Sequence, residues 1–109
     1  MRDPNKIYSK IIDYIEKIEV IIDGLDFEKF IANDEKVFAC SFALCQIAEQ
    51  TIKLSDEEKQ KHAHIPWANI RGMRNHTIHN YDNIDFYIMW DALIKDLPKL
   101  KSDIQIIAC

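Results

Sequence analysis

Residues Ile65–Tyr81, IPWANIRGMRNHTIHNY, decide how this chain is read. At about 100° per residue on a helical wheel, Trp67, Ile70, Thr77, Ile78 and Tyr81 share one face. Arg74 falls in the middle of that face. A guanidinium is charged at every accessible pH, and desolvating it unpaired costs several kcal/mol. The spacing therefore predicts either an acid that meets Arg74 or a crevice that binds an anion. His79 and Tyr81 follow within seven residues of it. Arg, His and Tyr side chains at one helix end can make a phosphate-handling site.

The rest of the chain reads as helix nearly throughout. It has 109 residues, with only two glycines and three prolines, sparse punctuation that favours long helices. No segment alternates with period two, so no sheet is expected. The reading predicts a single all-α domain over residues 1–109, an up-and-down bundle of four to five helices. The first helix is expected from Asn5 to Asp23, with Ile7, Ile11, Tyr14, Ile15, Ile18, Ile21 and Ile22 at three- and four-residue steps and Gly24 ending it. A short helix is expected near Phe27, capped by Asp26, and a long one from Asp34 to Leu54. Ser55-Asp56-Glu57-Glu58 fits a capping box, and Asp56–Lys61 reads as a solvated face. Pro66 suits the first turn of a helix running to His79. The final helix is expected from Asp85, bent or interrupted at Pro98.

A second anomaly answers the first. Phe38, Phe42, Cys45 and Ile52 share a face of the third helix, and Glu49 lies inside that apolar stripe. An acid on one helix and a base on another predict a Glu49–Arg74 pair across the core. Such a pair would aim the guanidinium and leave donors free for a phosphate. Arg71 lies about 60° from Arg74 and either extends the basic strip or is solvated.

Composition narrows the partners. Apolar residues make up 48% and charged residues 29%, and the net charge of −4 argues against a nonspecific nucleic-acid coat. Three cysteines at no framework spacing read as reduced thiols of a cytoplasmic protein. No window approaches the roughly 18 apolar residues that cross a membrane, and from the polar stretch at the N-terminus no signal peptide is expected. No metal site and no cofactor are expected. His62, His64, His76 and His79 lack a clear further ligand.

Arg74, four residues, then His79, Asn80 and Tyr81 form an R-x4-H-x-Y pattern. With Ile65-Pro66-Trp67 and Gly72-Met73-Arg74-Asn75 before it, Ala48-Glu49 upstream and Asp96-Leu97-Pro98 in the last helix, the chain resembles the HepT-like branch of the HEPN superfamily. Those are helical toxins paired with minimal nucleotidyltransferase antitoxins, and the likeness covers almost the whole chain. It implies a metal-independent ribonuclease that acts on RNA as a homodimer, its motifs facing each other across a cleft. It makes Arg74 and His79 the catalytic pair and Asn75 the polar position after the arginine. It makes Tyr81 the residue to which the antitoxin transfers AMP. Asn80 stands where the family is often acidic. Asp82 and Asn83 stand where it often has an aromatic residue and a glycine. A reading from another class stays open: a non-catalytic helical partner of a nucleotidyltransferase that presents a nucleotide or RNA.

Overall fold

The computed structural model of the chain describes residues 3–76 and 85–108, without the side chains of residues 75, 76 and 108. Among the described residues every regular element is helical and no strand occurs. None of these helices is long and apolar enough to cross a membrane.

Helix α1 spans Pro4–Ile22, its N-cap Asp3 accepting from the Asn5 amide. The cost of the free first-turn amides is thus reduced at a proline start. Gly24, at φ +75°, makes the left-handed turn that stops the chain from continuing as helix. Helix α2 spans Phe27–Ile31 with Asp26 as its cap, and α3 spans Asp34–Ile52 with Asn33 as its cap. Ser55 caps α4, Asp56–Lys61, by accepting from the Glu58 amide. Helix α5 is only Trp67–Gly72. It passes directly into a 3-10 turn, Met73–His76. Helices α6, Phe86–Asp91, and α7, Leu97–Ala108, flank a π-helical turn at Ala92–Asp96.

That π turn is where the break expected at Pro98 comes to rest. Pro98 has no amide to donate to residue 94, and in a regular α-helix its ring would clash with that carbonyl. One extra residue in the preceding turn lets the Leu97 amide reach back to the Ala92 carbonyl instead. The backbone stays helical at both ends of the turn, so α6 and α7 continue one another.

Isoleucines set the core. Ile11 and Ile15 of α1 are fully buried, as are Leu44 and Ile47 of α3, Met89 of α6 and Ile104 of α7. Each contributes on the order of 1.5–3 kcal/mol by leaving water. Helices α1 and α3 run antiparallel: Lys36 at the start of α3 donates to the Ile21 carbonyl at the end of α1. At the other end of the pair, the Tyr8 hydroxyl donates to Glu58 of α4 at 2.7 Å. Lys101 of α7 reaches Glu16 and Glu19 of α1 at 3.4 and 2.8 Å.

The stripe of Phe38, Phe42, Cys45 and Ile52 reads from the sequence as core or as a surface for a second copy, and in the structure it is not core. Phe38 is 43% exposed, Phe42 52% and Ile52 39%. The buried rows of α3 carry Val37, Cys40, Leu44, Ile47 and Ala48, and α3 packs against α1, α2, α5 and the 3-10 turn. Helix α3 is apolar on nearly every side, so periodicity alone does not say which row its neighbours take.

Candidate active site

Helix α3 packs against α5 and against the 3-10 turn that follows it. Ile70 and Met73 turn inward and are buried. Arg74, the next residue, therefore points outward along the flank of α3. Its Nη2 lies 3.8 Å from Glu49 Oε1, with side-chain exposures of 48% and 43%. The pairing read from the sequence is present, but its location is not the core. The reason is local: a 3-10 turn advances about 120° per residue rather than 100°. Met73 takes the inward position, and Arg74 is carried past it to the rim. A pair this exposed contributes about 0–1 kcal/mol to folding. A carboxylate at this distance can orient the guanidinium fork without withdrawing the half-exposed side chain from solvent.

Cys45 lies one helical turn before Glu49. Burial pushes its thiol above the ordinary range, the Glu49 charge pushes the same way, and Arg74 opposes both. These influences place the thiol within the field of both members of the pair. Cys40, fully buried, has its thiol pushed up to about 12 by burial, with Lys36 opposing. Both thiols are free, as their spacing predicts. Phe38, Phe42 and Ile52 extend the same face of α3, so the acid–base pair sits within an exposed apolar strip.

The other site residues stand as follows. Arg71 is exposed at the end of α5. Asn75 lies in the 3-10 turn, its backbone described and its side chain not. His79 and Tyr81 lie outside the described residues. The structure thus brings together Glu49 and Arg74 of the expected set. An ideal helix would leave positions 74 and 79 about 140° apart; the helix has already departed from that geometry at Met73–His76.

Sequence reasoning missed Glu58. Within the run read as solvated, its side chain is only 14% exposed and its Oε2 lies 3.3 Å from His62 Nε2. The same oxygen accepts from Tyr8. Burial, then this hydrogen bond and the Glu58 charge, push the Tyr8 phenol well above its usual range. The signal was present: Tyr8 adjoins Ile7 on the buried side of α1, and a buried phenol needs an acceptor. Among the described residues, no three His, Cys, Asp or Glu side chains converge as a metal set.

The family model described as Ribonuclease HepT-like matches residues 11–107. The chain belongs to this family. Individual relatives align over nearly their full lengths. "Probable ribonuclease HepT" of Thermococcus cleftensis is 31% identical over 106 residues, 96% of each chain. "Putative RNase TTE0752" of Caldanaerobacter subterraneus subsp. tengcongensis is 29% identical over 105 residues, 96% of this chain and 94% of the relative. "Putative RNase MJ1380" of Methanocaldococcus jannaschii is 29% identical over 100 residues, covering 89% and 92%. No solved structure is a significant match. The 3-10 turn that carries Arg74 to the rim lies inside the matched span of this HepT-like chain.

Proposed function

We propose that this chain is a metal-independent endoribonuclease toxin of the cytoplasm. In this reading it acts as a homodimer and is silenced when a cognate minimal nucleotidyltransferase antitoxin transfers AMP to Tyr81. Membership of the HepT-like family supports the ribonuclease. The observation that carries the site is the half-exposed Glu49–Arg74 pair set in the apolar strip of α3. A phosphate needs a guanidinium that is oriented yet accessible, and this one is both. A second copy laid on the strip would cover Phe38, Phe42 and Ile52 and bring two such guanidinia toward one cleft.

The chemistry follows from the residue types. The RNA 2′-oxygen attacks the adjacent phosphorus, forming the O2′–P bond as the P–O5′ bond breaks. His79 suits the transfers, taking the 2′-hydroxyl proton or giving one to the departing O5′, and its copy in a second protomer can take the other role. Arg74 holds its proton and stabilises charge on the phosphorane oxygens. The products are a 2′,3′-cyclic phosphate and a 5′-hydroxyl, and DNA, lacking the 2′-hydroxyl, is not cut. AMP on Tyr81 would set a bulky anion beside Arg74 and exclude the substrate phosphate.

The test is cleavage of RNA in EDTA by protein of unmodified mass. Cyclic-phosphate ends are expected, lost in a folded His79→Ala variant. Undiminished cleavage by that variant overturns the mechanism. A wild-type protein that binds a nucleotidyltransferase but cuts nothing supports the non-catalytic reading instead. Co-expression with the nucleotidyltransferase should add about 329 Da, one adenylyl group, at Tyr81.

A further inference from the structure

Helix α5, which delivers Arg74, is weakly anchored at its start by every ordinary device. It is six residues long, and Pro66 at its N-cap makes no side-chain capping bond. Ile70 of α5 and Met73 of the 3-10 turn reach the core, but apolar contact is nondirectional. The Trp67 amide donates to the Ile65 carbonyl at 2.8 Å, a bond within its own segment; the side chain of Trp67 supplies a directional contact to another helix. The Trp67 indole Nε1–H is shared between the carbonyls of Lys59 and His62, at 3.1 Å from each. Lys59 lies in the last turn of α4 and His62 is its C-cap, whose amide also donates to the Lys59 carbonyl at 3.2 Å. The His62 carbonyl also accepts from the Ile65 amide at 3.0 Å, closing the link between the helices. Helix α4 is in turn tied to α1 through Tyr8 and Glu58. A chain of fixed contacts therefore runs from the core helix α1 to the first residue of α5.

We infer that Trp67 is a positioning residue for the reaction: its indole N–H fastens the start of α5 to the end of α4 and so sets where Arg74 stands against Glu49. This rests on the reading that Arg74 takes part in RNA cleavage. Arg74 lies only seven residues, or two turns, beyond Trp67. A tilt at the start of so short an element displaces its far end, and displacements near 1 Å at a reacting centre can cost on the order of 100-fold in rate. The indole acts through Arg74 and touches no substrate itself.

The experiment compares wild type, Trp67→Phe, Arg74→Ala and the double variant in the full chain. Trp67→Phe keeps a ring in the packing and removes the donor. The expected result is a fall of about 10-fold in kcat with KM within about twofold. Alkylation of Cys45, followed at fixed pH by peptide mapping, reports Arg74 without reference to activity. It should slow in Trp67→Phe, and the double variant should be no slower than Arg74→Ala alone. If Trp67→Phe melts below the assay temperature, β-(3-benzothienyl)alanine at position 67, placed by chemical ligation, keeps the ring shape and removes only the N–H. Loss of cleavage in Arg74→Ala, with wild-type kcat and wild-type Cys45 alkylation in the donorless variant, overturns the inference. Full cleavage by Arg74→Ala overturns the reading beneath it as well.

Discussion

Arg74 Nη2 and Glu49 Oε1 face each other at 3.8 Å on the rim of the bundle, both side chains close to half exposed. This geometry separates what the pair does for folding from what it does for function. Glu49→Gln should change stability by less than about 1 kcal/mol, since exposed ion pairs contribute little. RNA cleavage should fall about 10-fold, because the guanidinium loses the group that aims it. Arg74→Ala should fall further, by about 100- to 1,000-fold, as when a charge-stabilising donor is removed. Thermal melts beside steady-state kinetics check both, and equal loss of melting temperature and activity would count against the assignment.

Cys45 offers a view of the same pair that needs no substrate. Glu49 disfavours the thiolate and Arg74 favours it. Glu49→Gln should lower the thiol pKa and speed iodoacetamide alkylation at neutral pH; Arg74→Ala should raise the pKa and slow it. Changes of several-fold are expected, since a one-unit shift alters the thiolate fraction about tenfold below the pKa. Rates that do not move would place the three groups apart in solution.

The apolar strip of α3 gives a separate handle on assembly. Phe42 is 52% exposed, so Phe42→Glu should leave the fold of one protomer intact. In the proposed homodimer the same change buries a carboxylate against an apolar neighbour, at a cost of several kcal/mol. The variant should sediment as a monomer with an unchanged helical spectrum and should cut RNA poorly. A dimeric, active Phe42→Glu protein would remove this face from the proposed seam.

Stability should decline at alkaline pH. The Cys40 thiol is raised from 9.0 to about 12 by burial, and the Tyr8 phenol is raised above 10.0. A pKa raised in the folded state gives stability that is complete below the unfolded value and is lost as pH climbs toward the folded one. Urea unfolding should therefore be flat with respect to these groups below pH 9. It should weaken above that, first through Cys40 and from about pH 10 through Tyr8 as well, with a limiting slope near 1.4 kcal/mol per pH unit for each group. Tyr8→Phe should remove the second contribution, leaving the first.

Two further substitutions contrast the core with its ends. Ile15 is fully buried, and Ile15→Ala should cost about 2–5 kcal/mol through lost transfer energy and a residual cavity. Asp85 caps α6 by accepting from the Tyr87 and Ile88 amides, and Asp85→Ala should cost about 1 kcal/mol. Chemical denaturation of both variants checks the ranking.

Much of the fold was legible in residue order. The repeat of Ile7, Ile11, Ile15 and Ile18 can bury one face only as a helix. Asp26, Ser55 and Asp85 each cap a helix by side-chain chemistry that acts within three residues. The candidate site was legible in part. An arginine on an apolar stripe and an acid on another pointed to each other, and Glu49 and Arg74 do meet. The depth of that meeting was not legible, and neither was Glu58, whose role depends on a tyrosine 50 residues away.

By itself, the order of side chains determined most of the helices and several of their caps and pointed Glu49 and Arg74 at each other, because propensity, capping and charge act over a few residues or by type. Only the tertiary structure decided that α3 turns Val37, Leu44 and Ile47 inward and leaves Phe38 and Phe42 outside, and that a 3-10 turn swings Arg74 to the rim. A helix with apolar residues on most sides has several burial choices of similar energy. What selects among them is which surfaces α1, α5 and the 3-10 turn bring to it, a property of the assembled chain rather than of any one segment.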